Sequence, residues 1–251
     1  MPLPLRFRCP FSVILLLIAP VFARADCPDH FAGQKPPATS APVTLLCSTG
    51  FAAGYSGPDH ESLWSAEHLT KESIIRAQTL QGRAPFHEDL RLPPAERSEL
   101  SDYRRSGWSR GHLTPSGDAP TRAAREETFA LSNIVPQAAK MNSGAWNRIE
   151  GNLRKIVRRK GEAWVVTGPA FREPLGSIGP DHVRVPSSVW KAVLVPSLSA
   201  VSVVVCRNTT PYQCNTVAMD SLRRVTGVDP FPAVPPAQKT RNRSLDALLL
   251  R

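Results

Sequence analysis

Ser109-Arg110-Gly111-His112-Leu113-Thr114-Pro115-Ser116-Gly117-Asp118 is the stretch on which the reading of this chain turns. It sets a histidine beside an arginine with one glycine between them, and Pro115 and Gly117 fix the backbone that follows. Thirty residues after His112 begins Asn142-Ser143-Gly144-Ala145-Trp146-Asn147-Arg148-Ile149-Glu150. Plotted at 100° per residue, Trp146, Ile149, Leu153, Ile156 and Val157 fall within an arc of about 100°. That periodicity predicts a helix over residues 146–160, which Gly161 ends. Glu150 and Arg154 lie beyond one margin of the apolar stripe, toward solvent, and Asn142, ahead of Gly144, is expected to precede the helix.

Downstream of Gly161 the period changes. Residues 163–167, 188–195 and 200–206 are Val-rich runs bounded by Gly, Pro and Asn, and read as strands. Upstream, residues 61–70 alternate as a strand does, whereas Gly82, Pro85, Pro93 and Pro94 forbid long regular elements over residues 78–94. Short helical segments are predicted at 94–97, 122–129 and 216–226, the last with Val217 and Leu222 inward. Residues 26–60 are rich in Pro, Gly and Ser and read as a surface wrap. Residues 233–251 read as a flexible tail, helical at most over 245–250. The expected architecture is one mixed α+β domain over residues 26–232, with a central, largely antiparallel sheet flanked by helices.

Arg6 and Arg8, the apolar residues 11–23 and the small residues Ala23 and Ala25 read as a signal peptide cleaved after residue 25. The apolar run is too short to span a bilayer, which needs about 20 residues. Removing Arg6, Arg8 and Arg24 from the 31 basic residues leaves 28 against 21 acidic ones, a formal charge of +7. That balance suits a polyanionic partner. Cys9 departs with the leader, and an even set remains: Cys27, Cys47, Cys206 and Cys214. In an exported chain these read as two disulfides, with proximity in sequence favouring Cys27–Cys47 and Cys206–Cys214. Neither C-x-x-C nor H-E-x-x-H occurs, so a zinc site has little support. Export to the periplasm or the medium is expected, with no stable membrane association once the leader is gone; the oligomeric state stays open.

The candidate chemistry lies in the two opening motifs. A neutral imidazole at His112 can take a proton from water. Arg110 adds a phosphate-pairing cation, and Arg83, in Gln81-Gly82-Arg83-Ala84-Pro85, is a candidate second clamp. Asn142 offers a neutral oxygen to a hard cation such as Mg²⁺, or equally caps a helix. Glu150 and Arg154, four residues apart, can serve a metal's water shell and a phosphate oxygen, or simply form a surface ion pair. A base, cations and a hard-metal ligand are together what phosphodiester hydrolysis requires.

With these residues in place the chain resembles the DNA/RNA non-specific endonucleases, the Serratia-type secreted nucleases and their mitochondrial relatives with a ββα-metal (His-Me finger) element. The likeness runs in order from about residue 45 to 232. It passes through Phe86-His87-Glu88-Asp89, Arg110-Gly111-His112, Leu131-Ser132-Asn133-Ile134-Val135-Pro136-Gln137, Asn142 to Glu150, Val166-Thr167-Gly168-Pro169, Trp190-Lys191 and Thr226-Gly227. The resemblance implies His112 as general base and Asn142 as the direct Mg²⁺ ligand, with Mn²⁺ as a substitute ion. It implies Glu150 as a support of the metal's water, and Asn133, Arg110, Arg154 and Arg83 in supporting or phosphate-binding roles. It further implies cleavage of DNA and RNA with little sequence preference, at internal bonds and leaving 5′-phosphates. Ser109 stands where the family more often has Asp, and is similar to a mitochondrial exonuclease-like branch. Two other readings of the same residues are a catalytically inactive, basic nucleic-acid-binding protein and a secreted hydrolase of another anionic ester.

Overall fold

The Val-rich runs lack polar alternation because both of their faces are covered. Within residues 188–195, Val189, Val193 and Val195 enter a core with Leu153, Ile156 and Val157. Trp190, Ala192 and Leu194 enter a second core, on the opposite face, with Phe31, Leu222 and Phe231. The computed structural model describes Met1 and residues 27–251. Residues 2–26, which hold almost all of the expected leader, lie outside the described residues.

In chain order the main elements are strands β1 (Thr44–Cys47), β2 (Ala52–Ser56) and β3 (Glu61–Thr70), helix α1 (Lys71–Thr79), strand β4 (Ser109–His112), helix α2 (Arg122–Glu127) and strand β5 (Ile134–Gln137). Helix α3 (Asn147–Lys160) follows, then strands β6 (Glu162–Ala170), β7 (Ser188–Val195), β8 (Ala200–Arg207) and β9 (Cys214–Val217). Helix α4 (Met219–Thr226), strand β10 (Thr240–Arg241) and helix α5 (Arg243–Leu250) complete the set. The large sheet has the order β9-β8-β7-β6-β3-β2-β1, antiparallel throughout, and β10 adds to β8 in parallel. Strands β4 and β5 stand apart as an antiparallel ribbon with His112 opposite Ile134, and the chain leaves β5 directly into the helical segment that becomes α3. The mixed α/β architecture with a mostly antiparallel centre is therefore as the sequence implies.

Three local expectations are corrected, and one helix is added. Residues 26–60 do not merely wrap the surface: β2 is buried along its whole length in the sheet, because its Ala, Gly and Tyr side chains fit beneath Trp64 and Leu92. The 216–226 segment divides into the end of β9, where Val217 is half-buried, and α4, where Leu222 is buried. Residues 233–251 are not a loose tail, since Leu245 and Leu249 of α5 reach the main core and Asn152 donates to the Leu249 carbonyl at 3.3 Å. Helix α1, absent from the sequence reading, starts at a reciprocal cap in which Thr70 accepts from the Ser73 amide and Ser73 accepts from the Thr70 amide.

Both disulfides pair as proximity indicated, Cys27–Cys47 and Cys206–Cys214. Among the described residues no helix is long and apolar enough to cross a membrane.

Candidate active site

His112 closes β4, and its backbone is seated tightly against β5. A Cβ at Gly111 would lie 2.1 Å from the Gln137 side chain, so only glycine lets the two strands approach there. The His112 ring meets Phe129 edge-on at 4.8 Å and lies 5.4 Å from Phe86. Its Nε2 is buried without a hydrogen-bond partner among the described residues. Burial, assisted by the nearby charge of Arg83, lowers its pKa from 6.5 to about 4. The ring is therefore neutral at neutral pH and able to take up a proton. Arg110, two residues back and so on the same side of the strand, rests its guanidinium 4.5 Å from the centre of the Phe86 ring.

Asn133 is wholly buried and spends its amide on backbone. It accepts from the Thr114 amide at 3.0 Å and donates to the carbonyls of Thr114 and Thr128 at 2.8 and 2.9 Å. It thus brackets the loop two residues beyond His112, a supporting position.

Asn142 does not precede the helix. It has helical φ/ψ and opens a π-helical turn, Asn142–Trp146, in which the Asn147 amide donates to the Asn142 carbonyl. One extra residue in that turn changes the geometry of everything that follows. In a regular α-helix, positions eight apart differ by about 80° around the axis; the inserted residue makes Asn142 and Glu150 behave as if seven apart, about 20° from alignment. The two side chains therefore project from one face, two turns from each other. The Asn142 side chain is part-exposed and makes no hydrogen bond to the described residues.

Glu150 is not at the solvent margin. Only 11% of its side chain is exposed, and burial raises its pKa to about 7 against the opposing charges of Lys191 and Arg154. The cause is a buried charge cluster on the sheet side of α3. Arg154 donates Nε to Asp118 Oδ1 and holds Nη2 3.8 Å from Glu150 Oε2. Gly117 makes room for this guanidinium, because a Cβ there would stand 2.7 Å from Nη2. Glu67 on β3 faces the same group, and burial, then Asp118, push its carboxyl well above the usual range. Lys191, fully buried on β7, donates to Thr167 Oγ1 at 2.6 Å and reaches the Leu113 carbonyl at 3.4 Å. That last contact joins the cluster to the residue next to His112.

Two groups result: His112 with Arg110 across Phe86 and within the field of Arg83, and Glu150 with Arg154, linked through the Lys191 contact to Leu113. Sequence reasoning missed Asp118, Glu67 and Lys191. Asp118 was within the opening motif, and a lysine inside the Val-rich run 188–195 was itself a signal, since a buried charge demands a partner.

The residues present fit a hydrated divalent cation. Asn142 offers an unpartnered amide on the helix face that carries the Glu150 carboxylate two turns on, and both supply hard oxygen. Among the described residues no group of three His, Cys, Asp or Glu could hold a metal ion. Such a donor set suits an ion that keeps most of its water around one or two protein ligands, as Mg²⁺ does, rather than one caged by side chains.

Comparison with known proteins identifies the family. A sequence profile described as DNA/RNA non-specific endonuclease matches residues 32–237. The mitochondrial nuclease EXOG of Danio rerio is 31% identical over 223 residues, covering 80% of this chain and 65% of that protein. Human EXOG is 38% identical over 159 residues, covering 59% and 43%, and nuclease C1 of Cunninghamella echinulata var. echinulata is 35% identical over 158 residues, covering 58% and 63%. The chain thus spans less than two-thirds of the length of each of these relatives. The crystal structure of the EndoG/EndoGI complex includes a chain that superposes with a TM-score of 0.70 at 26% identity, covering 78% of this chain and 89% of that one.

Proposed function

The chain belongs to the DNA/RNA non-specific endonuclease family, and from that premise we propose that it is a metal-dependent nuclease. It hydrolyses phosphodiester bonds of DNA and RNA with Mg²⁺, cuts internally and leaves 5′-phosphate ends. The observation that carries this reading is the buried, unpartnered Nε2 of a neutral His112, with the charge of Arg83 acting on the ring and Arg110 over the Phe86 that the ring touches.

In this mechanism His112 Nε2 accepts a proton from the water whose oxygen attacks phosphorus, while the bond to the 3′ oxygen breaks and that oxygen takes a proton from solvent water. Arg110 and Arg83 hold the negative phosphate oxygens near the base, with Arg110 seated against the Phe86 ring. Arg154 presents a fixed guanidinium, oriented by Asp118. Asn142 would hold the divalent cation, with Glu150 behind its water shell. When bound, the ion supplies positive charge to the phosphate as its negative charge grows. Asn133 keeps the loop after His112 in place. Because these contacts address phosphates and no base edge, cleavage is indifferent to sequence.

Two disulfides suit an oxidising compartment, and with the leader read at residues 1–25 they support export to the periplasm or the medium. Supercoiled plasmid and folded RNA incubated with the purified chain, with and without EDTA, test the assignment. Linearised plasmid and fragmented RNA that require the divalent ion, and a His112→Ala variant that binds but does not cut, are the expected results. A wild-type protein that binds nucleic acid and leaves it intact would favour the inactive-binder reading instead.

A further inference from the structure

Beside the His112 group lies a cavity of about 200 Å³ lined by residues 80–85 together with Arg122, Arg125 and Glu126. Three cations meet there. Arg83 and Arg122 are exposed and form no ion pair with the described residues. Arg125 is half-buried and also lacks a carboxylate partner; it donates Nη1 to the carbonyls of Leu80 (3.0 Å) and Gly82 (3.4 Å), Nη2 to Ala77 (2.9 Å) and Nε to Ser116 (3.1 Å). One guanidinium thus ties together the end of α1, the turn at Gly82 (φ +85°) that carries Arg83, and the loop after His112. Of the lining residues only Glu126 is acidic, and it is exposed; the neighbouring Glu127 is engaged by the Thr49 amide and hydroxyl.

We propose that this cavity is a subsite for a phosphodiester group flanking the bond that is cut, contacted by Arg122 alongside Arg83, with Arg125 as the positioning residue that holds its walls. The proposal rests on the nuclease reading above and adds to it a place for the neighbouring nucleotide. A net positive, open-mouthed cavity next to the base suits a single phosphate. Arg125 cannot be replaced by lysine without losing the planar fork that serves four carbonyls.

The test compares wild type, Arg122→Ala and Arg125→Lys on long duplex DNA and on a dinucleotide with only the scissile phosphate. For Arg122→Ala, kcat/KM on the duplex should fall about fivefold more than on the dinucleotide, mainly through KM. The slope of log Kd for the duplex against log salt concentration should shrink by about 1, the signature of one lost phosphate contact. Arg125→Lys should show the same duplex-specific rise in KM. Equal losses on both substrates, or an unchanged salt slope, would overturn the subsite. The salt slope is measured by binding, so it remains decisive even if the wild-type chain proves unable to cut, an outcome that would sink only the nuclease reading.

Discussion

Arg154 is held from two sides, by Asp118 through Nε and by Glu150 3.8 Å from Nη2, and this places a helix side chain under the control of the loop that follows His112. Asp118 is 3% exposed, so removing it leaves a largely buried guanidinium short of charge compensation. Asp118→Ala should lower unfolding free energy by about 3 kcal/mol and reduce kcat/KM more than Asp118→Asn, which keeps an acceptor for Nε. Urea melts and initial rates on the two variants check this, and equal rates for both would show that Arg154 needs no such guide. Gly117→Ala should mimic the loss by crowding Nη2.

Asn142 and Glu150 share a helix face only through the π turn. Asn142→Ala should raise the Mg²⁺ concentration for half-maximal rate on the order of tenfold, with little change in melting temperature. Deleting Ser143 would return the turn to α-helical register and rotate Asn142 by about 100° relative to α3. Its metal titration should be at least as impaired as that of Asn142→Ala.

His112 and Glu150 give stability opposite pH slopes. His112 has its pKa lowered to about 4, so its contribution is present above its unfolded value of 6.5 and is lost as pH falls toward 4. Glu150 has its pKa raised to about 7, so its contribution is present below 4.5 and is lost as pH rises toward 7. In the wild type the two largely offset each other between pH 5 and 6.5. Glu150→Gln should therefore gain about 2 kcal/mol across that window as pH rises, and His112→Phe should lose a similar amount. Denaturant midpoints at the two pH values decide the matter; parallel slopes in all three proteins would contradict it.

Asn133→Ala removes one acceptor and two donors from a fully buried bracket. Leaving the Thr114 amide without a partner should cost about 2–3 kcal/mol, seen as a fall of roughly 4–10 °C in Tm. Mg²⁺ dependence should stay that of the wild type at temperatures where the variant is folded, which distinguishes a support from a ligand.

The fold was legible where burial wrote itself into the composition. Residues 188–195 and 61–70 match β7 and β3 end for end, since Val-rich or alternating runs have few other ways to bury their faces. Gly161, at φ +97°, ends α3 where the glycine indicated. What escaped was set by distant partners. Helical periodicity put Glu150 and Arg154 at the stripe's edge, and nothing local announces that β3 and the Asp118 loop cover that edge. The π turn is likewise invisible to a wheel drawn at a uniform 100°. Alanines and glycine in β2 looked like loop material because small side chains are favoured there only by the bulk of Trp64 packed upon them. At the candidate site, residue type and order single out His112, Arg110 and Arg83, whereas the tethers of Arg154 and Arg125 need the third dimension.

The last helix has a consequence for timing. Leu245 and Leu249 fill the same core as Ile156 and Val157, on the helix that carries Glu150. A chain emerging from the ribosome N-terminus first holds every proposed catalytic residue long before it holds that plug. Until residues 243–250 are made, the side of α3 that carries Ile156 and Val157 lacks the cover of Leu245 and Leu249.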